Sequence, residues 1–391
     1  MRVGIFGGTF NPIHNGHLSL IAHLIEALAL DELLLIPTAV PPHKENGNVI
    51  DAQHRLAMCR LAVQDNPKVR VSDIEILRGG ISYTVDTLRL LTVERPSDQL
   101  ILLVGSDMFY TVDQWRCASE IMRLAQIVAI PREAGENEKL LAQRDRLNAT
   151  GAKTQVVEVD PLIVSSSDLR AQECASENLP PLVERYIVQN GLYGQTQKLL
   201  VDLDQLTAWL RGVLSRERFI HSLNVASEAL RLAQTWGENG DMAYLAGLLH
   251  DCCKERSREE MLNLLAGSDI IKDPVFLQSL PVWHGFAAAI YIQRELSVLN
   301  AQIIDAVRYH TTGCGDMTRI EEIIYLADLI SADRDYPGVE ALRAKAHRSI
   351  EAAMLESLQF SIMKLLKNNA PVLTDTLNAY NQYLLQAAQE G

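Results

Sequence analysis

Apolar positions in the first half of the chain fall into two alternating kinds of run. The stretches "RVGIF" (2–6), "ELLLIP" (32–37), "VRVSDIEI" (69–76), "QLILLVG" (99–105), "IVAIP" (127–131) and "TQVVEV" (154–159) have the length and character of strands. Between them, "HLSLIAHLIEALAL", "AQHRLAMCRLAVQ" and "TVDTLRLLTVE" space their apolar residues as helices do. Strands alternating with such helices predict βαβ units, and hence an α/β fold with a doubly wound parallel sheet. After "NGLYGQTQK" the period changes. From "LDQLTAWLRGVL" to "LNAYNQYLLQAAQ" the spacing is helical with hardly a strand candidate. The expectation is an α/β domain over residues 1–194 and an all-α domain over 198–391, joined by a short polar stretch.

Length alone agrees, since 391 residues exceed what one core ordinarily holds. The 48% hydrophobic and 22% charged content is that of a soluble globular protein, and no apolar run approaches a membrane span. The start lacks the long apolar region of a secretory signal. Cys59, Cys117, Cys174, Cys252, Cys253 and Cys314 are scattered without a CxxC, which suits reduced thiols. A cytoplasmic protein with no membrane partner is expected. Residues 1–197 carry 18 Lys and Arg against 24 Asp and Glu; residues 198–391 carry 18 against 25. Both halves are acidic and neither has a basic block, so a nucleic-acid partner has no footprint. Small anionic substrates remain compatible, because a pocket or a metal overrides net charge locally. Homo-oligomerisation stays open.

The chain begins with "GIFGGTFNPIHNGH", Gly4 to His17. In an open α/β sheet, ligands bind beyond the carboxyl ends of the strands. Gly7 and Gly8 stand at such an end and let backbone approach a phosphate. His14 and His17 follow where the next helix opens, beside the positive end of its dipole. Neither a P-loop lysine nor a GxGxxG is present. A second segment, "VSSSDLR" (164–170), joins serine hydroxyls and backbone N–H groups to Arg170 at another strand-to-helix transition. Either segment alone could be an ordinary glycine turn or N-cap; together they form two halves of a phosphate clamp.

These motifs resemble the nucleotidyltransferase family with (H/T)xGH and ISSTxxR signatures, and within it the nicotinate mononucleotide adenylyltransferases, over residues 1–193. The resemblance implies that His14, His17 and Arg170 bind ATP phosphates and stabilise the transition state. It places Gly7, Gly8, Thr9, Phe10, Gly105, Asp107, Ser166 and Ser167 around ATP, with Mg²⁺ carried mainly by the nucleotide. Through "PPHK", "SYTVDTL" and the later tryptophan, it implies that Lys44, Tyr83, Thr84, Asp86 and Trp115 hold nicotinate mononucleotide. Arg55 of "HRLAM" also matches. Asn11 stands where Asp is usual and Ser167 where Thr is usual. A pantetheine-phosphate adenylyltransferase ordinarily has Thr at position 14 and lacks the "SYTVDTL" segment; it is the alternative within this fold. A non-catalytic nucleotide-binding regulator is the alternative outside it.

The helical half carries "RFIHSLNVA", "AGLLHDCCKE", "PVWHGFAA", "VRYHTTG" and "IIYLADLISADRDYPGV", supplying His221, His250, Asp251, His284, His310 and Asp328. A single histidine on an apolar helix is ordinarily a core residue, but a series with an adjacent His-Asp pair is not. Imidazoles mixed with carboxylates suit Fe, Mn or Zn rather than Ca²⁺ or Mg²⁺. Six ligands exceed what one open catalytic metal requires, which predicts two metals with a bridging carboxylate. Neighbours on a helix do not share a face, so Asp251 must reach a metal from a helix end and is the bridging candidate and a catalytic residue. Cys252 and Cys253 are expected to be buried structural thiols. This half resembles the HD-domain phosphohydrolases over residues 200–385, in particular the YqeK-like group that cleaves diadenosine tetraphosphate into two ADP. Lys254 fits its HDxxK pattern, and Arg334 the segment after the last aspartate. A nucleotide phosphatase, a cyclic-nucleotide phosphodiesterase or a metal-stabilised regulatory module would use the same ligands.

Overall fold

The strands form where apolar runs can be covered on both faces. In the computed structural model, which describes residues 1–40, 49–132, 135–157 and 178–390, six strands build one sheet. They are β1 Arg2–Gly8, β2 Glu32–Pro37, β3 Val69–Val71, β4 Gln99–Gly105, β5 Gln126–Ile130 and β6 Thr154–Val156, in the order β3-β2-β1-β4-β5-β6 and all parallel. Consecutive residues Leu33, Leu34 and Leu35 are all buried, as are Ile101, Leu102 and Leu103. Helices lie on both sides, and this produces continuous rather than alternating apolar runs. β1 pairs with β2 on one side and β4 on the other. The winding reverses there, so a crevice opens beyond Gly7, Gly8 and Gly105.

Both edge strands are shorter than expected; β6 ends at Val156, with Glu158 and Val159 of its run outside the described residues. Of "VRVSDIEI", only Val69–Val71 pairs with β2; Ile74–Arg78 is a short helix ended by Gly79 at φ 68°. This edge strand has a single neighbour to hold it extended, and its partner register ends at Leu35. The remaining elements of this half that bear on the site are α1 Asn15–Ala27, α2 Ala52–Val63 and α3 Thr84–Glu94.

Arg55 on α2 is 1% exposed. Its guanidinium donates to the carbonyls of Ile50 (3.0 Å), Thr9 (2.8 Å), Thr38 (2.7 Å) and Ala39 (3.1 Å). One side chain thus joins the turns after β1 and β2 to the start of α2. Asn11 adds a second tie: its Oδ1 accepts from the Ile50 N–H (3.3 Å) and the Tyr193 hydroxyl (2.8 Å). Arg55→Met should leave four carbonyls short of a donor and lower stability by roughly 3 kcal/mol. Urea denaturation followed by circular dichroism measures this; an unchanged midpoint would mean that the clamp contributes nothing.

The chain divides into two compact units, Met1–Thr196 and Gln197–Gly391. No strand occurs in the second unit among the described residues. Its site rests on α4 Arg216–Trp236, α5 Gly240–Leu249, α6 Trp283–Arg294, α7 Ala301–Tyr309 and α8 Arg319–Ile330. They surround a core that includes Leu248, Trp283, Ile323 and Tyr325. Two glycines set how closely these helices approach. A Cβ on Gly247 would lie 2.8 Å from the Ala226 backbone, and one on Gly285 would lie 2.9 Å from the Arg308 carbonyl. Helices packed at backbone distance bring short side chains from different helices to one point. No helix is long and apolar enough to cross a membrane among the described residues.

Candidate active sites

The first site begins at the N-terminus of α1, where His14 is the N-cap in extended conformation. Its backbone N–H donates to Nδ1 of His17 at the third helical position (3.3 Å), a role usually filled by Glu or Gln in a capping box. The two imidazole centroids are 3.7 Å apart with the rings tilted by 37°, and the Phe10 ring packs edge-on against His17 at 5.2 Å. His14 is 1% exposed, and its Nδ1 is buried with no hydrogen-bond partner. Burial lowers the His14 pKa to about 4. Burial first, and then His14 and Arg132, hold His17 well below its ordinary value. Both rings are therefore neutral at pH 7, each with one N–H donor available to an anion.

Arg132 was not singled out from the sequence. It follows β5 at the carboxyl end of the sheet and pairs with Asp107 at 3.0 Å. It thus brings the expected ATP-side residue Asp107 and a cation to His17. "AIPRE" carries no local signature, and only its place past a strand end near the switch point could have marked it.

On the other flank, Ser82 Oγ accepts from the Ala39 N–H (3.0 Å), and Val40 pairs with Ile81 in an isolated parallel bridge. This docks the turn before α3 onto the stretch that leaves β2. Tyr83 caps α3 and Thr84 opens it. Arg116 lies over the Tyr83 ring at 4.6 Å and approaches Asp86 at 3.9 Å, while Arg89 pairs with Asp86 at 3.1 Å. Trp115 is half-buried and donates its indole N–H to Thr111 Oγ1 (3.3 Å). Lys44, Ser166, Ser167 and Arg170 lie outside the described residues.

The depressed histidines set a pH dependence. In the unfolded chain both titrate near 6.5; in the folded chain His14 resists protonation to about pH 4, and burial holds His17 well below its ordinary value. Their contribution to stability is complete above pH 6.5 and is lost as pH falls from there toward 4. The urea midpoint should therefore drop between pH 7 and pH 5, and by less in a His14→Gln/His17→Gln variant. Equal drops in both proteins would contradict the burial of neutral imidazoles.

In the second site, the turn after α5 does what a helix could not. The helix ends at Leu249 with His250 at its C-cap, and Asp251 lies beyond it. Asp251 Oδ2 is 3.5 Å from His250 Nε2 and 4.0 Å from His221 Nε2; its Oδ1 is 3.0 Å from His284 Nε2 and 3.6 Å from His310 Nε2. One carboxylate thus faces two pairs of imidazoles with its two oxygens. Asp328 Oδ1 completes the set at 3.0 Å from His221 Nε2 and 3.9 Å from His250 Nε2. The six residues form three overlapping groups of possible metal ligands, each within 4.8 Å: His221, His250, Asp251; His250, His310, Asp328; Asp251, His284, His310.

The donor set fits a metal. Nδ1 of His250 donates to the Gly247 carbonyl (2.7 Å) and Nδ1 of His310 to the Val307 carbonyl (2.7 Å), which leaves each Nε2 facing the cluster, that of His310 at 3.0 Å from His284 Nε2. His250 Nε2 and Asp251 Oδ1 are buried without hydrogen-bond partners. Burial lowers His284 to about 4, so that ring is neutral at pH 7. Burial opposes charge on Asp251, but His250, His284 and His310 outweigh it and hold the carboxyl well below its ordinary range. A neutral His284 and an ionised Asp251 are the protonation states metal ligation needs; on His250 burial opposes charge, but Asp251 and Asp328 outweigh it and raise its pKa, so a metal would have to displace its Nε2 proton. Arg218 donates to Asp251 Oδ2 (2.7 Å), and Lys254 Nζ stands 3.9 Å from Oδ1 at the rim. Cys252 and Cys253 are both buried, and neither joins a ligand group among the described residues.

Residues 5–172 match the cytidylyltransferase-like family model, and residues 218–333 match the HD domain model. A probable nicotinate-nucleotide adenylyltransferase of Trichlorobacter lovleyi is 37% identical over 211 residues, covering 49% of this chain and 99% of that protein. The nicotinate-nucleotide adenylyltransferase of Bacillus subtilis is 34% identical over 196 residues, covering 49% of this chain and 98% of its own. Among solved structures, a predicted HD superfamily hydrolase involved in NAD metabolism from Clostridium acetobutylicum covers 47% of this chain and 98% of its own. Its identity is 29% and its TM-score 0.46.

Proposed function

The chain belongs, through its first unit, to the nicotinate-nucleotide adenylyltransferase family, and on that premise we propose that it is a two-site enzyme. The first site transfers AMP from ATP to nicotinate mononucleotide, giving nicotinate adenine dinucleotide and pyrophosphate. A 5′-phosphate oxygen of the mononucleotide attacks the α-phosphorus of ATP, and the bond to the bridging α–β oxygen breaks. The protein's part in such a transfer is positioning and charge stabilisation. His14 and His17 offer neutral N–H donors at the positive end of α1, Arg132 adds charge beside them, and Mg²⁺ arrives with ATP. The buried, unpartnered His14 Nδ1 supports this assignment most directly. In this reading Ser166, Ser167 and Arg170 close the phosphate clamp, while Lys44, Thr84 and Trp115 hold the nicotinate side.

The second site hydrolyses a dinucleoside tetraphosphate, with diadenosine tetraphosphate and water giving two ADP. His221, His250, Asp251, His284, His310 and Asp328 would hold two transition metals, iron or else manganese or zinc, with Asp251 between them. The metals supply Lewis-acid charge stabilisation and water activation. Arg218, Lys254 and Arg334 surround the carboxylates with positive charge and would neutralise the bridging phosphates. The two-faced placement of Asp251 carries this reading. Product chromatography tests both halves. The intact chain with ATP and either mononucleotide should form the nicotinate dinucleotide in preference to the nicotinamide one. With diadenosine tetraphosphate and Mn²⁺ it should release ADP alone. Formation of AMP and ATP instead would contradict the symmetrical cleavage.

A further inference from the structure

All four imidazoles around Asp251 have a partner at Nδ1, and for His284 it is Lys254 Nζ at 3.4 Å. In His250 and His310 the holder is a backbone carbonyl three residues earlier. In His221 it is a side chain: Asp333 Oδ2 lies 2.7 Å from Nδ1. An ionised carboxylate only accepts, so Nδ1 carries a proton; Nε2 meets Asp328 Oδ1 at 3.0 Å, the position where a metal would replace the Nε2 proton. The Asp333 Oδ1 also accepts from Asn224 Nδ2 (3.1 Å), one turn beyond His221 on α4. The next residue, Arg334, grips the other ligand: it donates to the Asp328 carboxylate and, through Nε, to the Asp328 carbonyl at 2.8 Å. Adjacent residues of one turn thus hold His221 on one side and Asp328 on the other.

That turn is itself held from outside the site. Arg343 donates through Nε to the Ile330 carbonyl (2.7 Å), and through one terminal nitrogen to the carbonyls of Ser331 (2.7 Å) and Arg334 (2.8 Å). Its other terminal nitrogen pairs with Glu340. None of these contacts reaches a ligand of the metal groups. We infer that the turn 331–334 is a positioning device for the metal centre, with Asp333 setting the His221 tautomer, Arg334 fixing Asp328, and Arg343 holding the turn in register. The inference rests on the metal-site reading and extends it to residues that do not touch the metal. Arginine suits the outer position because its planar fork reaches three carbonyls at once, which an ammonium on a single stem does not.

The test is Mn²⁺ binding to the metal-free full-length chain, counted by electron paramagnetic resonance of free Mn²⁺, alongside thermal melting of the same metal-free protein. Asp333→Ala should weaken Mn²⁺ binding about 10–100-fold. Asp333→Asn, which keeps an acceptor without the charge, should fall between Asp333→Ala and the wild type. Arg343→Ala should also weaken binding, and Arg343→Lys should not restore it. In both Asp333 variants the metal-free melting temperature should stay near that of the wild type, while the Arg343 variants, which take a donor from three carbonyls, should melt lower but remain folded at the assay temperature. Wild-type affinity in Asp333→Ala and Arg343→Ala would overturn the inference. So would losses of affinity in the Asp333 variants that merely track losses of metal-free stability. A wild-type chain that binds no Mn²⁺ would instead refute the metal-site reading itself.

Discussion

His17→Ala is expected to lower adenylyl transfer about 10²–10³-fold while leaving the fold and the second site intact. Losing one preorganised donor aimed at developing charge typically has this effect. His17 stands in the first turn of α1, with its ring against His14 and with Arg132 close enough to oppose its protonation. A donor there meets phosphate at the positive end of the helix, in a crevice at the sheet's switch point. The loss should appear in kcat more than in KM for ATP, because several other groups would still bind the ground state. The variant also loses the acceptor for the His14 N–H, so a modest fall in melting temperature is expected. Steady-state kinetics on folded variant decides the matter: wild-type turnover would remove His17 from the mechanism.

The second large effect is expected from Asp251→Ala. Its two oxygens face different imidazole pairs, so no other residue can replace it by a change of rotamer. Metal content should fall by at least one ion per chain, and hydrolysis of diadenosine tetraphosphate should become undetectable. Stability in the presence of metal should fall too, since a ligand that binds only the folded state stabilises it by mass action. Elemental analysis beside the wild type measures the first effect. Unchanged metal content would sink the dinuclear reading.

What the sequence made legible follows from where information sits. β2, β4 and β5 are buried on both faces, so continuous apolar runs marked them almost to the residue. β3 is an edge strand with one partner, and the run "VRVSDIEI" concealed a three-residue strand followed by a helix. The sequence puts the start of α1 at His17, two residues past the observed Asn15, because its cap, His14, is outside the usual capping set. Each of the six metal-group residues stood out, because a polar group inside an apolar helix needs a reason. The pairing of those residues across Asp251 was not legible, since it is set by the backbone contacts at Gly247 and Gly285. Arg132 and Asp333 act on histidines far away in sequence, Arg343 acts on a turn 9 to 13 residues before it, and charged residues at strand or helix ends carry no signal of their own. Arg55 was noticed by resemblance, but its four carbonyl contacts belong to tertiary structure alone.

The central claim is that two separate chemistries reside in one chain. It is tested most directly by assaying both reactions in both variants. His17→Ala should lose nicotinate adenine dinucleotide formation and keep release of ADP from diadenosine tetraphosphate; Asp251→Ala should show the reverse. Loss of both activities in either folded variant would contradict the account and require one composite site.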